Sequence, residues 1–108
     1  MAQDIRFVDG PWETPRSDLS AEDYCAVCLI DLNPPGAPKV KARCKLPIRK
    51  RPGGPIYRNA LRNAASRIFQ MTDVPREERR RAARRLVRLM RMAGISVGES
   101  LLRLAGMK

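Results

Sequence analysis

The sequence predicts a small α+β domain made of an N-terminal extended arm, a β-hairpin, an antiparallel helical hairpin and a short C-terminal helix. Two observations support this fold class. A continuous apolar run precedes a proline-rich turn and an alternating segment, which is typical of paired strands. Two later segments repeat apolar residues at helical spacing and are separated by a short turn. With 108 residues, the chain can form one domain with a modest core.

Residues 1–20 are predicted to form an acidic extended arm in front of a small basic α+β body, residues 21–108. The arm mixes Pro, Gly and acidic residues without periodicity, and Phe7 or Trp12 is expected to anchor it to the body or to a partner. Residues 1–32 have a net charge of −5, whereas the remaining 76 residues have a net charge of +16. This asymmetry favours contact between the arm and a basic surface, on the same chain or on a neighbouring copy.

The segment after the arm predicts a two-stranded antiparallel hairpin. Residues 24–32, "YCAVCLIDL", are expected to form a strand buried largely on both faces, and residues 33–38, "NPPGAP", have turn chemistry. Residues 39–48 alternate apolar with basic side chains, which predicts a half-exposed strand with a wholly basic outer face. The basic residues of that strand are Lys39, Lys41, Arg43 and Lys45.

Two helices are predicted after a basic, glycine-containing loop at residues 49–55. Pro55 suits the first helical position, so residues 56–71 are expected to form the first helix. Pro75 opens the second helix, and the two glutamates of its first turn complement the helix dipole. Because the loop between them is short, the two helices should form an antiparallel hairpin.

A short terminal helix is predicted after Gly94, which ends the second helix. Ser96 lies three residues before Glu99, which is the spacing of a capping box at a helix N-terminus. Gly106 is expected to close this last helix.

The second predicted helix has an apolar side and an arginine side. At 100° per residue, Ala82, Leu86 and Leu89 align on one side, which is expected to pack on the first helix. Like charges one turn apart destabilise an isolated helix, so a row of arginines favours an anionic partner over a merely solvated surface. The arginines of the second side are Arg80, Arg81, Arg84, Arg85, Arg88 and Arg91.

The composition favours nucleic acid as that partner. The formal charge is +11, and 17 of the 22 basic residues are arginine, whose planar group holds a phosphate through two parallel hydrogen bonds. Aromatic residues make up only 5%, which argues against stacking on single-stranded bases and favours duplex DNA. Further candidate contacts are Lys39, Lys41, Arg43, Lys45, Arg49, Lys50, Arg51, Arg58 and Arg62.

Three cysteines raise the question of a metal site. Cys25 and Cys28 form a C-x-x-C pair, and Cys44 lies on the paired strand. They are weak metal candidates, because a tetrahedral zinc site needs four ligands and the chain has no histidine. They are predicted to be free thiols in a reducing compartment, with Cys28 and Cys44 buried as small apolar residues. No cofactor is predicted.

Neither catalysis nor membrane binding is expected from this sequence. The chain has no histidine, the usual general base near neutral pH, and "RPGGP" lacks the spacing of a phosphate-binding loop. No run approaches the roughly 20 apolar residues of a membrane span, and the first ten residues do not resemble a signal peptide. The expected location is the cytoplasm or the interior of a virion.

Several short motifs occur together in the second part of the chain. Lys45-Leu46-Pro47 closes the second strand, "RNALRNAA" lies in the first helix, and Pro75 precedes a helix with "RRAARRL" and a "GI-V-ES" ending. In this pattern, roughly residues 40–104 resemble a small module of tailed-phage and prophage proteins that recurs near head-assembly genes, including those of prohead proteases. No catalytic signature belongs to the pattern, so the resemblance implies a virus-related accessory or structural role.

Two functions follow as hypotheses. The first is sequence-tolerant attachment to nucleic acid, most simply duplex DNA, through the arginine helix together with the basic strand and loop. The second is an assembly role in which the basic body docks acidic protein surfaces, either on virion or phage proteins or on the acidic arm of another copy in a homo-oligomer. Both hypotheses require the arginine side of the second helix to be open to solvent.

Overall fold

A computed structural model describes residues 5–107, so residues 1–4 of the predicted arm and residue 108 lie outside the described part. The described residues confirm the α+β class. Within them, no helix is long and apolar enough to cross a membrane. In chain order the strands and helices are β1 (Phe7–Val8), α1 (Ala21–Ala26), β2 (Cys28–Asp31), β3 (Cys44–Pro47), β4 (Ile56–Tyr57), α2 (Arg58–Arg67), α3 (Arg76–Met92) and α4 (Glu99–Leu104).

The first half of the predicted strand at residues 24–32 is a helix instead. α1 ends at Ala26, and β2 begins at Cys28. The Ser20 hydroxyl accepts a hydrogen bond from the Asp23 backbone N–H at 3.2 Å, and acidic residues in the first turn complement the dipole. This cap starts a helix upstream of the apolar run. An apolar run by itself does not distinguish a strand from a short buried helix.

β2 and β3 form the predicted antiparallel hairpin, with Cys28 opposite Pro47 and Ile30 opposite Lys45. The second strand is shorter than predicted, because Lys41–Arg43 form a turn of 3-10 helix. The prediction of one strand with a wholly basic outer face over residues 39–48 is therefore wrong.

The side chain of Asn33 explains why the loop before β3 departs from a strand. Its carbonyl oxygen accepts a hydrogen bond from the Val40 backbone N–H at 2.9 Å, and its amide donates to Asp31 Oδ1 at 2.8 Å. Such side-chain hydrogen bonds compete with the strand ladder for the backbone groups. The loop is closed locally, and pairing begins only at Cys44.

Leu46, in the middle of β3, has a φ of 63°, the left-handed region that bulky residues rarely adopt. Such a conformation costs of order 1–3 kcal/mol and persists only where the surroundings impose it. The side chain is 4% exposed and belongs to the main core, so burial offsets the cost.

The arm packs against the body as an extended chain. β1 pairs in parallel with β4, with Phe7 opposite Ile56, and the rings of Trp12 and Tyr57 are 5.4 Å apart between their centres. Both arm aromatics are partly buried against the main core. The prediction that Phe7 or Trp12 anchors the arm is confirmed, and the surface they contact is the chain's own body.

α2 is shorter than the helix predicted at residues 56–71. It spans Arg58–Arg67 and ends in a single 3-10 turn. Pro55 is not the first helical residue, because the chain continues as β4, where the Ile56 N–H donates to the Arg6 carbonyl at 2.8 Å. β4 pairs with the arm strand β1, and this pairing, which the local sequence does not show, moves the start of α2 to Arg58.

α3 supplies the centre of the main core. As predicted, Pro75 comes directly before the first residue of α3, and Gly94, with a φ of 75°, comes after the end of this helix. Ala83, Leu86 and Val87 are completely buried, and α2, α4 and β2 all pack against this helix. Complete burial of a leucine or valine side chain stabilises a fold by roughly 1.5–3 kcal/mol.

α4 is the predicted terminal helix, and Gly106, with a φ of 68°, follows its end. The predicted cap is wrong, because Gly98 occupies the N-cap position and Ser96 lies outside the helix. Ile95 packs against the main core, which holds the stretch after α3 in an irregular conformation and delays the start of α4.

A second, small core contains Tyr24 and all three cysteines. Cys25 and Cys44 form a disulfide that joins α1 to β3, so the prediction of free thiols is wrong for this pair. Because Cys25 lies on a helix packed against β3 rather than on a strand, its sulfur reaches Cys44. Cys28 is a free, buried thiol, and Cys28 and Cys44 are both buried as predicted.

Candidate nucleic-acid interface

The outer side of α3 is exposed. We call it the arginine face and define it by Arg80, Arg81, Arg84, Arg85, Arg88 and Arg91. Five of the six are exposed, and Arg80 is half-buried. The Arg81 side chain, for example, is 77% exposed. The five exposed arginines are therefore open to solvent, as contact with a large polyanion requires.

Apolar packing beneath the arginine face fixes its position. Leu86 and Val87 follow Arg85 and precede Arg88 in sequence, and both apolar side chains are completely buried. Rotation of α3 about its axis would expose them, at a cost of roughly 1.5–3 kcal/mol each. The arginines are thus presented by a helix that the core holds in one orientation.

Few carboxylates of the chain neutralise the arginine face. Glu78 lies 3.5 Å from Arg81 Nη1, an exposed pair of the kind that contributes roughly 0–1 kcal/mol. The ion pairs formed within residues 5–107 do not include the exposed arginines further along α3. Those arginines are Arg84, Arg85, Arg88 and Arg91. Their mutual repulsion would be relieved by a bound anion.

The C-terminal end of α4 lies against the first half of the arginine face. Arg84 Nε donates to the Ala105 carbonyl at 2.7 Å, which satisfies an acceptor at the helix end. Arg80 packs so closely on Gly106 that a Cβ at that glycine would lie 2.5 Å from Arg80 Nη2. α4 therefore orients two guanidinium groups without neutralising them.

Two polar clefts open beside Arg80. One, of about 260 Å³, is lined by Glu77, Arg80, Arg81 and Arg84. The other, of about 310 Å³, includes Arg76 and Arg103 in its lining. Arg80 Nε is buried and has no hydrogen-bond partner among residues 5–107. Glu77 lines both clefts, so a phosphate in either one would have several guanidinium groups and one carboxylate within reach.

Arg76 and Arg103 were not among the residues predicted from sequence. Arg76 begins the same arginine-rich run, and its place at the start of α3 could have indicated it. Arg103 lies on α4 and comes close to Arg80 only because α4 packs on α3. No local pattern in the sequence carries that information.

Arg49 adds a residue of the basic loop to the arginine face. Burial, together with the nearby positive charge of Arg85, lowers the pKa of Arg49. The other basic loop residues are arranged differently: Lys50 Nζ lies 4.9 Å from the ring centre of Tyr57, and Arg51 is exposed. The loop therefore contributes to the face through Arg49.

The basic residues of the hairpin region have partners within the chain. Lys39 Nζ lies 2.6 Å from Asp31 Oδ2, and Lys41 Nζ donates to the Arg16 carbonyl at 2.7 Å. Lys45, on β3, lies 3.3 Å from an oxygen of Asp73. Arg43, in the 3-10 turn, is exposed. These four residues do not form the continuous basic surface that a regular strand would give.

Arg58 and Arg62, on α2, have partners as well. Arg58 Nε donates to the Ala93 carbonyl at 3.0 Å, and its Nη1 lies 3.3 Å from Asp9 Oδ2 on the arm. Arg62 donates to Asn59 Oδ1 at 3.0 Å. Arg58 therefore ties the arm to the helices. The predicted set divides into the arginine face with Arg49, a group that serves internal contacts, and the exposed residues Arg43 and Arg51.

The weak metal candidates Cys25, Cys28 and Cys44 lie together in the small core. The sulfur atoms of Cys25 and Cys44 and an oxygen of Asp31 lie within 4.8 Å of one another. Because the two sulfurs are bonded to each other, neither is a thiolate ligand in this state. Burial raises the pKa of the Cys28 thiol to about 12, although a hydrogen bond with Tyr24 opposes the shift. Cys28 is thus protonated and unreactive near neutral pH.

No protein-family model, curated protein or solved structure matches the chain. The short motifs singled out in the sequence lie on defined elements: Lys45-Leu46-Pro47 ends β3, "RNALRNAA" lies in α2 and "RRAARRL" lies in α3. The motifs in α2 and α3 thus include both the residues that pack between these two helices and residues on their exposed sides. Chemically, the arrangement is suited to binding anions.

Proposed function

We propose that the protein is a non-enzymatic accessory protein that binds nucleic acid without sequence preference, with duplex DNA lying along the arginine face. The observation that carries the proposal is the row of exposed arginines on α3 for which the chain supplies few carboxylates. Contacts of this kind are made to phosphates and carry no base information, so they tolerate any sequence.

The length of the row supports contact with several phosphates. Arg81 and Arg91 are ten residues apart in a continuous helix, which corresponds to about 15 Å along its axis. Duplex DNA carries one phosphate charge per roughly 1.7 Å of its axis, counting both strands. The row can therefore follow a stretch of backbone, and the clefts beside Arg80 can receive a phosphate at one end.

The positions of Phe7, Trp12 and Tyr57 favour a duplex over a single strand, and the exposed ring of Phe69 lies outside α3. Trp12 and Tyr57 contact each other, and Arg58 Cζ lies 5.9 Å from the ring centre of Phe7. These rings belong to the arm and the surface it covers rather than to α3. Single-strand binding proteins stack bases on exposed aromatic rings, whereas an arginine row recognises the backbone.

A virus-related setting is part of the proposal. It is supported by the resemblance of residues 40–104 to the module of tailed-phage and prophage proteins. In that setting the polyanion would be viral or host DNA, met either in the cytoplasm or inside a virion.

Reversal of two central charges tests the proposal. The variant Arg84→Glu/Arg88→Glu keeps the buried apolar side chains of α3 and removes one hydrogen bond, from Arg84 to the Ala105 carbonyl. We expect it to lose retention of duplex DNA at low salt in a mobility-shift assay. The matched control is Arg43→Glu/Arg62→Glu, which makes the same change in net charge at exposed positions outside α3. The control should keep most of its affinity.

Two outcomes would overturn the assignment. Undiminished retention by Arg84→Glu/Arg88→Glu would rule out DNA binding through the arginine face. Equal losses in the two double variants would show that binding follows net charge and not a defined surface. Thermal melting of both variants shows whether each is folded before its binding is compared.

A second candidate function is assembly, in which an acidic protein surface docks on the arginine face. Glu22 and Asp23, in the first turn of α1, favour it because both are exposed and belong to no ion pair within residues 5–107. The same turn of a neighbouring copy would be a complementary surface. Removal of residues 1–20 would test this less cleanly, because Phe7 and Trp12 are part of the packed structure.

Neutralisation of that acidic turn separates the two functions. If copies associate through it, Glu22→Gln/Asp23→Asn should abolish self-association at low salt, as measured by light scattering, and leave DNA retention unchanged or improved. A wild-type protein that is monomeric at low salt contradicts self-assembly and leaves the DNA proposal standing.

A further inference from the structure

A cleft of about 210 Å³ opens between the arm, β3 and α2, away from the arginine face. At roughly 30 Å³ per water molecule, it has room for about seven waters, or for a small anion with a few carbon atoms. None of its lining residues lies on α3, so it is separate from the proposed DNA surface. The lining side chains used below are Arg16, Tyr24, Lys45, Leu46, Asn63 and Arg67.

The cleft brings together cations from three parts of the chain. Arg16 comes from the arm, Lys45 from β3 and Arg67 from the last turn of α2. Within residues 5–107, neither arginine takes part in an ion pair. Lys45 is paired with Asp73, whose side chain is 68% exposed, so a second anion can share the ammonium group.

Two further polar groups line the cleft. The Asn63 side chain is half-buried and makes no hydrogen bond with the described residues, so its amide is available to a ligand. Tyr24 is 5% exposed, and burial, followed by the proximity of Cys28, raises the pKa of its hydroxyl to about 12. The positive charges of Arg16 and Arg67, which line the same cleft, act in the opposite direction and lower the pKa of this hydroxyl.

The walls of the cleft are fixed by the fold. Cys44, itself a lining residue, is joined by the disulfide to Cys25, the neighbour of Tyr24. Leu46, in its left-handed conformation, forms part of the wall, and Pro15 is buried where the arm passes this surface. The cations therefore converge on a preformed space rather than on a flexible surface.

We propose that this cleft binds the phosphate group of a small phosphate monoester. Arg16 and Arg67 would hold the phosphate oxygens, Asn63 would donate a hydrogen bond, and the carbon portion of the ester would contact Met71, a half-buried apolar residue of the lining. A phosphate monoester carries a charge of about −1.5 to −2 at pH 7, which suits several converging cations better than the single charge of a carboxylate. Guanidinium groups also match the geometry of phosphate oxygens.

Phenyl phosphate is the probe, titrated calorimetrically into the full chain at low salt. Arg16→Gln and Arg67→Gln should each weaken binding about three- to tenfold, because each removes a charge-assisted hydrogen-bond donor at an exposed position. The matched control Arg62→Gln removes the same charge from α2 outside this cleft. It should change the affinity less than about twofold, since exposed charges are screened over distance.

Three outcomes would overturn the proposal. The first is the absence of saturable binding of phenyl phosphate by the wild type. The second is equal weakening by Arg62→Gln and Arg67→Gln, which would reduce the effect to overall charge. The third is tighter binding of benzoate, which has the same ring with a carboxylate.

The outcome of the phenyl phosphate titration does not depend on whether the protein binds DNA. The variant Arg84→Glu/Arg88→Glu leaves every lining residue of the cleft in place, so it should still bind phenyl phosphate. Loss of DNA retention with phosphate binding kept, or the reverse, shows which of the two proposals has failed.

Discussion

The arginine face and the loop before β3 show two ways in which one chain uses its positive charges. In the loop, Lys39 lies 2.6 Å from a carboxylate oxygen of Asp31, and Lys41 donates to a backbone carbonyl at 2.7 Å. On α3, Arg85 and Arg88 belong to none of the ion pairs formed within residues 5–107. The two regions look alike in sequence. The supply of internal partners, rather than the number of charges, decides which basic residues are available to an external anion.

The two regions also differ in what holds them. α3 is fixed by completely buried side chains such as Leu86, in the main core. The hairpin end is fixed by the small core and by the Cys25–Cys44 disulfide. The hairpin strands also contribute Ile30 and Leu46 to the main core, and β2 packs against α3. Loss of the disulfide alone should therefore leave α3 in place, which can be tested directly.

The largest expected effect, on the free energy of unfolding, comes from removal of the Cys25–Cys44 disulfide. Cys25 and Cys44 are separated by 19 residues, and a disulfide that closes a loop of about this size stabilises a protein by about 3 kcal/mol. Cys25→Ser/Cys44→Ser should lower the free energy of unfolding by about that amount, measured by urea denaturation. DNA retention by the folded variant should be unchanged, because the arginine face is supported by the main core.

A dithiol reductant provides the control for this prediction. It should destabilise the wild type by a similar amount and have no effect on the double variant. Loss of DNA retention in the folded variant would show that the hairpin end and the arginine face are not independent.

An intermediate effect is expected in the salt dependence of DNA binding. If four to six residues contact phosphates, the logarithm of the binding constant should fall against the logarithm of salt concentration with a slope of roughly −4 to −5. Arg88→Gln should reduce the magnitude of the slope by about 1, whereas Lys39→Gln should leave it unchanged. Equal reductions would remove the distinction between the two regions.

The smallest effect concerns the pairing of Lys39 with Asp31. Burial alone would raise the pKa of Asp31, but hydrogen bonds from Lys39 and Asn33 outweigh it and lower the pKa. A carboxyl group with a lowered pKa in the folded state stabilises the fold above its unfolded pKa of about 3.9, and the stabilisation is lost as the pH falls through the folded value.

Replacement of that carboxylate measures the effect. Asp31→Asn should be less stable than the wild type at pH 7 by less than about 1 kcal/mol, as is usual for exposed pairs. The difference should begin to shrink below about pH 3.9, where the carboxyl of the unfolded chain becomes protonated, and should disappear as the pH falls through the lower pKa of the folded state, as measured by thermal melting. A difference that does not change with pH would mean that the ion pair contributes nothing and that the amide alters the loop in another way.

The arginine face could be predicted from the sequence because helical periodicity shows both sides of α3 at once. Leu86 and Arg88 belong to one pattern, and burial of the first implies exposure of the second. The hairpin was likewise visible as an apolar run, a turn and an alternating segment. Strong periodicity in long elements survives tertiary contacts.

The remaining features depend on contacts between distant residues. α1 was mistaken for a strand because its apolar residues are few and its cap, Ser20, lies before them. The pairing of Lys39 with Asp31 requires a loop closed by the Asn33 side chain, and the choice of Cys44 as partner of Cys25 requires α1 to pack on β3. The closed loop and the disulfide pairing do not follow from periodicity or spacing, whereas Ser20 three residues before Asp23 is a local signal that could have indicated α1.

Gly106 has a consequence for how the sequence can change over time. The absence of a side chain there leaves the space that the Arg80 guanidinium occupies, and an added Cβ would lie 2.5 Å from Arg80 Nη2. A single methyl group would displace a charged group of the arginine face without altering net charge. The φ of 68° favours glycine at this position in its own right, so a side chain there would strain the backbone as well as move the Arg80 guanidinium.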